Sequence, residues 1–197
     1  MSDTPRTARI ERRTAETEIS LSLDLDGTGR SEVQTGLGFL DHMLTALAKH
    51  GRFDLELDCD GDLEVDDHHT AEDCALALGT AFDQALGERR GIRRFAHAYA
   101  PLDEALARVV VDFSGRPSAH VEMGFRRERI GEIATENLAH VFVSFATAAR
   151  MTLHVDVLKG ANDHHRAEAA FKALALALRD AVALDGTGEV PSTKGVL

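Results

Sequence analysis

The sequence Asp-His-His-x-x-Glu occurs twice, at 67–72 and at 163–168. Imidazole nitrogen and carboxylate oxygen together suit the divalent ions of Mn, Fe, Co or Zn, and the general affinity order does not choose among them. Apolar positions after each motif predict a helix, with Asp67 and Asp163 as its N-caps. Helix residues four apart share a face, whereas successive residues point about 100° apart. His68 and Glu72 should therefore converge on one ion and His69 point elsewhere. His164, Glu168 and His165 should behave the same way, so each helix can serve two sites. An upstream histidine, His42 or His140, is the obvious fourth ligand for each. Three imidazoles and one carboxylate leave two positions open on a six-coordinate ion. That favours Mn²⁺ over a closed, thiolate-rich structural zinc site. A single His-His-x-x-Glu is commonly a solvated cluster at a helix start; two copies at matching places argue for a shared chemical purpose.

The elements that must position these groups also repeat. Residues 39–80 and 137–178 each run from a helix-like stretch carrying the upstream His, through an alternating strand (53–57 or 153–157), to the motif and a second apolar helix. His42 and His68 are 26 residues apart, and His140 and His164 are 24 apart. Ahead of each repeat lie strand-like segments: Ile19, Leu21, Leu23 and Leu25 alternate with polar residues, followed by 31–35, while the second half offers 107–113 and 118–123. Gly27-Thr-Gly29 and Ser114-Gly-Arg-Pro117 read as turns between them. The prediction is an α+β fold of tandem duplicated half-domains, each a β-sheet with helices packed on one face. The halves are placed at 1–92 and 93–197 of one compact unit. The basic stretch 88–94 links them, and the tail 185–197 is irregular. Within the link, Arg89, Arg90, Arg93 and Arg94 form a basic patch that is either a solvated linker or an anion contact, with Lys194 able to reinforce it.

The totals narrow the partners. The net charge of −11 over 197 residues disfavours nucleic acid and anionic membranes. No apolar run is long enough to span a bilayer, and the first residues lack the apolar core of a secretory signal, so a cytoplasmic location is expected. Cys59 and Cys74 are the only cysteines and are read as buried thiols.

Taken together, FLDHM (39–43), VDDHHTAED (65–73), RRGIRRF (89–95), DFSGRP (112–117), NDHHRAEAAFKAL (162–174) and PSTKG (191–195) resemble the imidazoleglycerol-phosphate dehydratase family of histidine biosynthesis, as does RRTAET (12–17). The resemblance runs from about Arg9 to the C-terminus. It implies a fold of the ribosomal-protein-S5-domain-2-like type, two Mn²⁺ ions per active site and a homo-oligomeric shell of twenty-four subunits. It implies that one ion takes His42, His69, His164 and Glu168, and the other His68, Glu72, His140 and His165. By the same carry-over, Arg94, Arg116, Ser192 and Lys194 contact the substrate phosphate, and Glu16, His50 and Lys172 contact the rest of the substrate. The implied reaction removes water from imidazole glycerol phosphate to give imidazole acetol phosphate.

The proton lost is not next to a carbonyl, so the substrate's imidazole must supply the activation. An ion on a ring nitrogen favours the imidazolate, which can expel the neighbouring hydroxyl to give a diazafulvene-like intermediate. The adjacent C–H then becomes acidic. Glu16 is the candidate general acid/base. Two rival classes remain at this stage. A two-metal hydrolase would show a bridging carboxylate, and a metal-storage or metal-linked assembly protein would give Arg94, Arg116 and Lys194 no task.

Overall fold

The computed structural model describes residues 5–197; residues 1–4, where the first predicted half begins, lie outside the described residues. The chain runs β1 (Thr7–Arg13), β2 (Thr17–Asp24), β3 (Ser31–Gln34), α1 (Gly38–Gly51), β4 (Asp54–Gly61) and α2 (His68–Leu86). It then repeats the order as β5 (Phe95–Leu102), β6 (Ala105–Asp112), β7 (Ser118–Glu122), α3 (Thr135–Ala148), β10 (Thr152–Lys159) and α4 (Asp163–Val182). A two-stranded hairpin, β8 (Arg129–Ile130) with β9 (Ile133–Ala134), precedes α3.

The two sheets have matching orders, β1-β2-β4-β3 and β5-β6-β10-β7. In each, the short edge strand runs parallel to its neighbour and the other pairs are antiparallel. The duplicated α+β architecture is thus present. The two turn signals turn out to be wider than turns: β2 and β3 both flank β4, and β6 and β7 both flank β10, so each glycine-containing link crosses a strand that is inserted later. Four strands have no clear apolar alternation in the sequence. β1 is Thr-Ala-Arg-Ile-Glu-Arg-Arg with only Ile10 buried, β5 buries only Ala100, and β8–β9 span two residues each.

Each sheet buries one face. Along β2, Thr17, Ile19, Leu21 and Leu23 are buried while Glu18 and Ser20 are exposed, the period of two that a half-buried strand requires. The helices of each half lie on that face and meet those of the other half, α1 against α4 and α2 against α3. The ring of Phe82 on α2 stands edge-on to Phe53 (5.2 Å between centroids) and to Phe145 on α3 (5.3 Å), and Phe142 on α3 meets Phe171 on α4 at 4.6 Å. Such pairs contribute about 0.5–1.5 kcal/mol each beyond the area they bury. The Phe82–Phe145 pair spans the halves and helps to join them into one core.

Two backbone features let the helices meet where they do. Gly79 allows α2 and α3 to touch, since a Cβ there would lie 2.5 Å from the Phe145 carbonyl oxygen. Arg52 and Arg150, at matching places after α1 and α3, adopt positive φ (60° and 51°) and turn the chain sharply into β4 and β10. The tail is irregular, as expected, and so is the link, yet they are fastened to each other: Gly91 N donates to Glu189 O, Asp185 N donates to Gly91 O, and Ile92 bridges Leu184. Arg89 is buried and donates to Asp83 and to the carbonyls of Ala149 and Arg150, so it acts as a bolt between the link and the end of α3.

Candidate metal centre

Two clusters stand out, His42–His164–Glu168 and His68–Glu72–His140, each with ligand atoms all within 4.8 Å of one another. Each joins an upstream helix of one half to the motif helix of the other. His42 Nε2 on α1 lies 3.1 Å from Glu168 Oε2 on α4, and His140 Nε2 on α3 lies 2.9 Å from Glu72 Oε1 on α2. Within each motif, the i,i+4 pairs converge, with His68 Nε2 at 3.6 Å and His164 Nε2 at 3.3 Å from their glutamates. Two imidazole nitrogens and one carboxylate oxygen, half-exposed and so close together, are a donor set that fits a divalent ion with coordination positions left over.

His69 and His165 point away from both clusters. His69 Nδ1 lies 3.0 Å from Asp62 Oδ2, and its Nε2 is 3.7 Å from Glu16 Oε1. The Asp62 contact raises the His69 imidazole above its ordinary pKa. His165 Nδ1 lies 2.7 Å from Glu104 Oε2. Carboxylate on Nδ1 is the usual way of fixing an imidazole so that Nε2 is presented to a metal. Within one chain, then, each four-ligand set implied by the resemblance appears as three ligands together and one apart.

Asp67 and Asp163 are not the side-chain caps that the sequence predicts. Asp67 stands at the N-cap of α2 without a side-chain cap bond, and His68 N donates to Asp66 Oδ1 (2.8 Å); α4 begins at Asp163, with Asn162 as its cap, whose Oδ1 accepts from His164 N (3.0 Å). The Asp67 and Asp163 carboxylates are buried and must find N–H donors elsewhere. Asp67 Oδ2 accepts from Ala134 N and from Asn137 Nδ2, while Asp163 Oδ2 accepts from Arg126 N and Arg127 N. Burial opposes the charge of Asp67, but the bonds from Asn137 and Ala134 hold its carboxyl below the usual range. Each Asp thus clamps its motif to a segment that leads into α3.

Glu16 and Glu104 occupy matching places, each immediately before the second strand of its sheet. Glu104 holds His165 and accepts from Asn162 N and Ala161 N, contacts that bring its carboxyl down to about 2. In the first half Asp62 holds the histidine instead, which leaves the Glu16 carboxylate beside His69 without a backbone donor among the described residues. That makes Glu16 the more available of the two for a substrate.

Lys172 Nζ lies 2.7 Å from Glu168 Oε1, one turn along α4. Burial opposes the Glu168 charge, yet Lys172 and the two imidazoles bring its carboxyl down to about 2. His50, in the last turn of α1, has its imidazole pKa lowered by burial and by the Lys172 charge. Lys172 and His50 are therefore gathered next to the His42 cluster. Arg94 donates to both Asp112 oxygens and to the Pro191 carbonyl, tethering the tail and leaving two of five guanidinium N–H donors. Arg116 donates to the Ser114 carbonyl at the adjacent Ser-Gly-Arg-Pro loop, and a Cβ on Gly115 would lie 2.7 Å from the Leu197 backbone. The tail bearing Ser192 and Lys194 thus runs past Arg94 and the loop of Arg116. The carboxylates that orient His69 and His165, and the amide of Asn137, were not singled out from sequence. Asn137 had a readable signal, since it precedes His140 by three residues on the same helix face.

Comparison with known proteins adds the identity of the fold. A family model described as imidazoleglycerol-phosphate dehydratase matches residues 35–178. The imidazoleglycerol-phosphate dehydratase of Phytophthora nicotianae is 64% identical over 192 residues, covering 98% of this chain and 42% of that protein. The protein of the same name from Candida glabrata is 58% identical over 208 residues, covering 96% of this chain and 99% of its own length. The chain thus spans under half of the first relative and nearly all of the second. The crystal structure of the Staphylococcus aureus imidazoleglycerol-phosphate dehydratase matches with TM-score 0.82 at 34% identity, over 90% of this chain and 99% of that one. The Pyrococcus furiosus IGPD structure matches with TM-score 0.82 at 36% identity, over 95% and 100%. On sequence and on fold, this chain belongs to the imidazoleglycerol-phosphate dehydratase family.

Proposed function

We propose that the chain is a Mn²⁺-dependent imidazoleglycerol-phosphate dehydratase that removes water from imidazole glycerol phosphate in histidine biosynthesis. The observation that carries this is the reciprocal pair of clusters, each built from two histidines and a glutamate drawn from both halves. His42, His164 and Glu168 would hold one ion, and His68, Glu72 and His140 the other. Bound there, divalent ions would lower the pKa of the substrate's imidazole and so make loss of the neighbouring hydroxyl feasible.

The chain's own residues supply the rest. Glu16, close to His69, would move the proton between the substrate carbon and the departing oxygen. Lys172 and His50, gathered beside the His42 cluster, would contact the substrate there. The tail residues Ser192 and Lys194, with Arg94 and Arg116, would hold the phosphate through charge-assisted hydrogen bonds. His69 and His165 lie apart from the clusters of their own chain, which supports a homo-oligomer in which a second copy completes each ion's fourth ligand. The twenty-four-subunit shell is the assembly that the family resemblance suggests. Two buried free thiols, Cys59 and Cys74, suit a reducing compartment such as the cytoplasm. No helix among the described residues is long and apolar enough to cross a membrane.

A two-metal hydrolase fits less well, because Glu72 and Glu168 belong to separate clusters and neither bridges them. Incubation of the purified chain with Mn²⁺ and imidazole glycerol phosphate, followed by NMR, tests the assignment. Appearance of the ketone product supports it, and an unchanged substrate with a correctly assembled, metal-loaded protein overturns it.

A further inference from the structure

The two clusters are built on one repeat, yet the groups around them differ in kind. Three residues before His140 on α3 stands Asn137, and three residues before His42 on α1 stands Phe39. Asn137 Nδ2 donates to Asp67 Oδ2 at 3.0 Å, which turns its carbonyl oxygen toward His68 Nδ1 at 2.9 Å. His68 Nδ1 must then carry the proton, and Nε2 is left as an unprotonated donor aimed into its cluster. His164 has no such partner at Nδ1 among the described residues. Its neighbour is the edge-on ring of Phe39, with centroids 5.0 Å apart, and a ring offers no carbonyl to fix the tautomer.

The carboxylates differ as well. Eight residues after His164, Lys172 sets its ammonium 2.7 Å from Glu168, whereas the position eight residues after His68 is Leu76. A cation on Oε1 draws on the carboxylate's charge and repels an ion held at Oε2, the oxygen that faces His42 and His164. Glu72 instead has the hydroxyl of Ser144 at 3.5 Å, at a place where α1 carries Ala46. All these differences favour the same cluster. The carboxylates that hold His69 and His165 do not offset them, since each of those histidines has one.

We infer that the two centres bind divalent ions unequally. The His68–Glu72–His140 centre takes its ion first, at least about tenfold more tightly than the His42–His164–Glu168 centre, the size of effect that outer hydrogen-bond partners have on metal affinity. The inference rests on the reading that both clusters hold ions. It implies that the ion next to Lys172 and His50 is the exchangeable one, and that the ion held through Asn137 stays bound through mild chelation.

The test is to strip the assembled protein, return one Mn²⁺ equivalent per chain, crystallise it and refine the anomalous occupancy at each cluster. The expected result is a clear excess at Glu72. Chelator-competition titrations should show two affinities, with Asn137→Ala weakening the tighter one by about 10–100-fold and Lys172→Leu strengthening the weaker one. Equal or reversed occupancy in the wild-type protein overturns the inference while leaving the metal reading intact, and needs no variant to fold. An Asn137→Ala protein that folds and keeps the original affinity gap also overturns it. Absence of ions from both clusters at saturating Mn²⁺ overturns both readings together.

Discussion

His42 Nε2 and Glu168 Oε2 lie 3.1 Å apart although 126 residues separate them in the chain. The reciprocal pair, His140 and Glu72, lies 2.9 Å apart across 68 residues. Neither cluster can therefore form inside one half. The packing of α1 on α4 and of α2 on α3 assembles both, so metal affinity and the association of the halves are linked quantities.

Ligand substitution should respect the clusters and ignore the motif boundaries. His42→Ala and His164→Ala are each expected to remove the same ion, and His68→Ala and His140→Ala the other. The loss of activity should exceed the roughly 10–100-fold typical of outer partners. Metal analysis of each purified variant, with anomalous maps to locate the remaining ion, checks the pairing; loss of one ion through both His68 and His164 would contradict it.

Gly79→Ala should pry α2 from α3. The new methyl group would sit 2.5 Å from the Phe145 carbonyl and 2.9 Å from Ala149 N, both backbone atoms with little freedom to yield. Overpacking of this kind costs about 1–3 kcal/mol, or a Tm lower by several degrees at about 2–4 °C per kcal/mol for a chain of this size. Calorimetry measures it. Because α2 and α3 carry Glu72 and His140, affinity at that cluster should fall while the His42 cluster keeps its ion.

Acid should unfasten the 27–30 loop through Asp54. The Arg30 side chain, followed by the amides of Arg30 and Thr28, holds this carboxyl well below the usual range. Its folded pKa is depressed below an unfolded value of about 3.9, so its stabilising contribution is complete above that value and is lost as pH falls through the folded one. Urea unfolding should show Asp54→Asn less stable than the parent at pH 7, with the gap shrinking as pH drops below about 3.9. A gap independent of pH would show that the ionised carboxylate is not its source.

Assembly should depend on metal. His69 and His165 face away from the clusters of their own chain, so ions completed by a second copy would bridge subunits. Sedimentation after exhaustive chelation is expected to show a smaller particle that regains its size with Mn²⁺. His69→Ala should mimic chelation in part, and an unchanged particle in chelator would refute the bridging.

Much of this was legible from sequence because it rests on local periodicity. The i,i+4 convergence of His68 with Glu72 and of His164 with Glu168 follows from helix geometry alone, as does the divergence of His69 and His165. The duplicated α+β plan follows from the repeat. What was hidden depends on long-range contacts. β1 exposes Arg9 and Glu11, so its strand character comes from pairing with β2 and leaves no alternating apolar pattern. Asp67 and Asp163 look like capping side chains, but burial aims them at amides of distant segments; Asp67 keeps the N-cap position of α2 without a side-chain cap bond, and the cap of α4 falls to Asn162. The tether from Arg94 to Pro191, 97 residues on, has no local signature at all.

Two divalent ions are proposed to make the imidazole of the substrate reactive. The most direct measurement is turnover of imidazole glycerol phosphate by protein stripped of metal, before and after Mn²⁺ is returned, with metal content determined on the same samples. The stripped protein is expected to show no turnover, with recovery that tracks filling of the second site. Undiminished turnover by protein shown to contain no metal would contradict it.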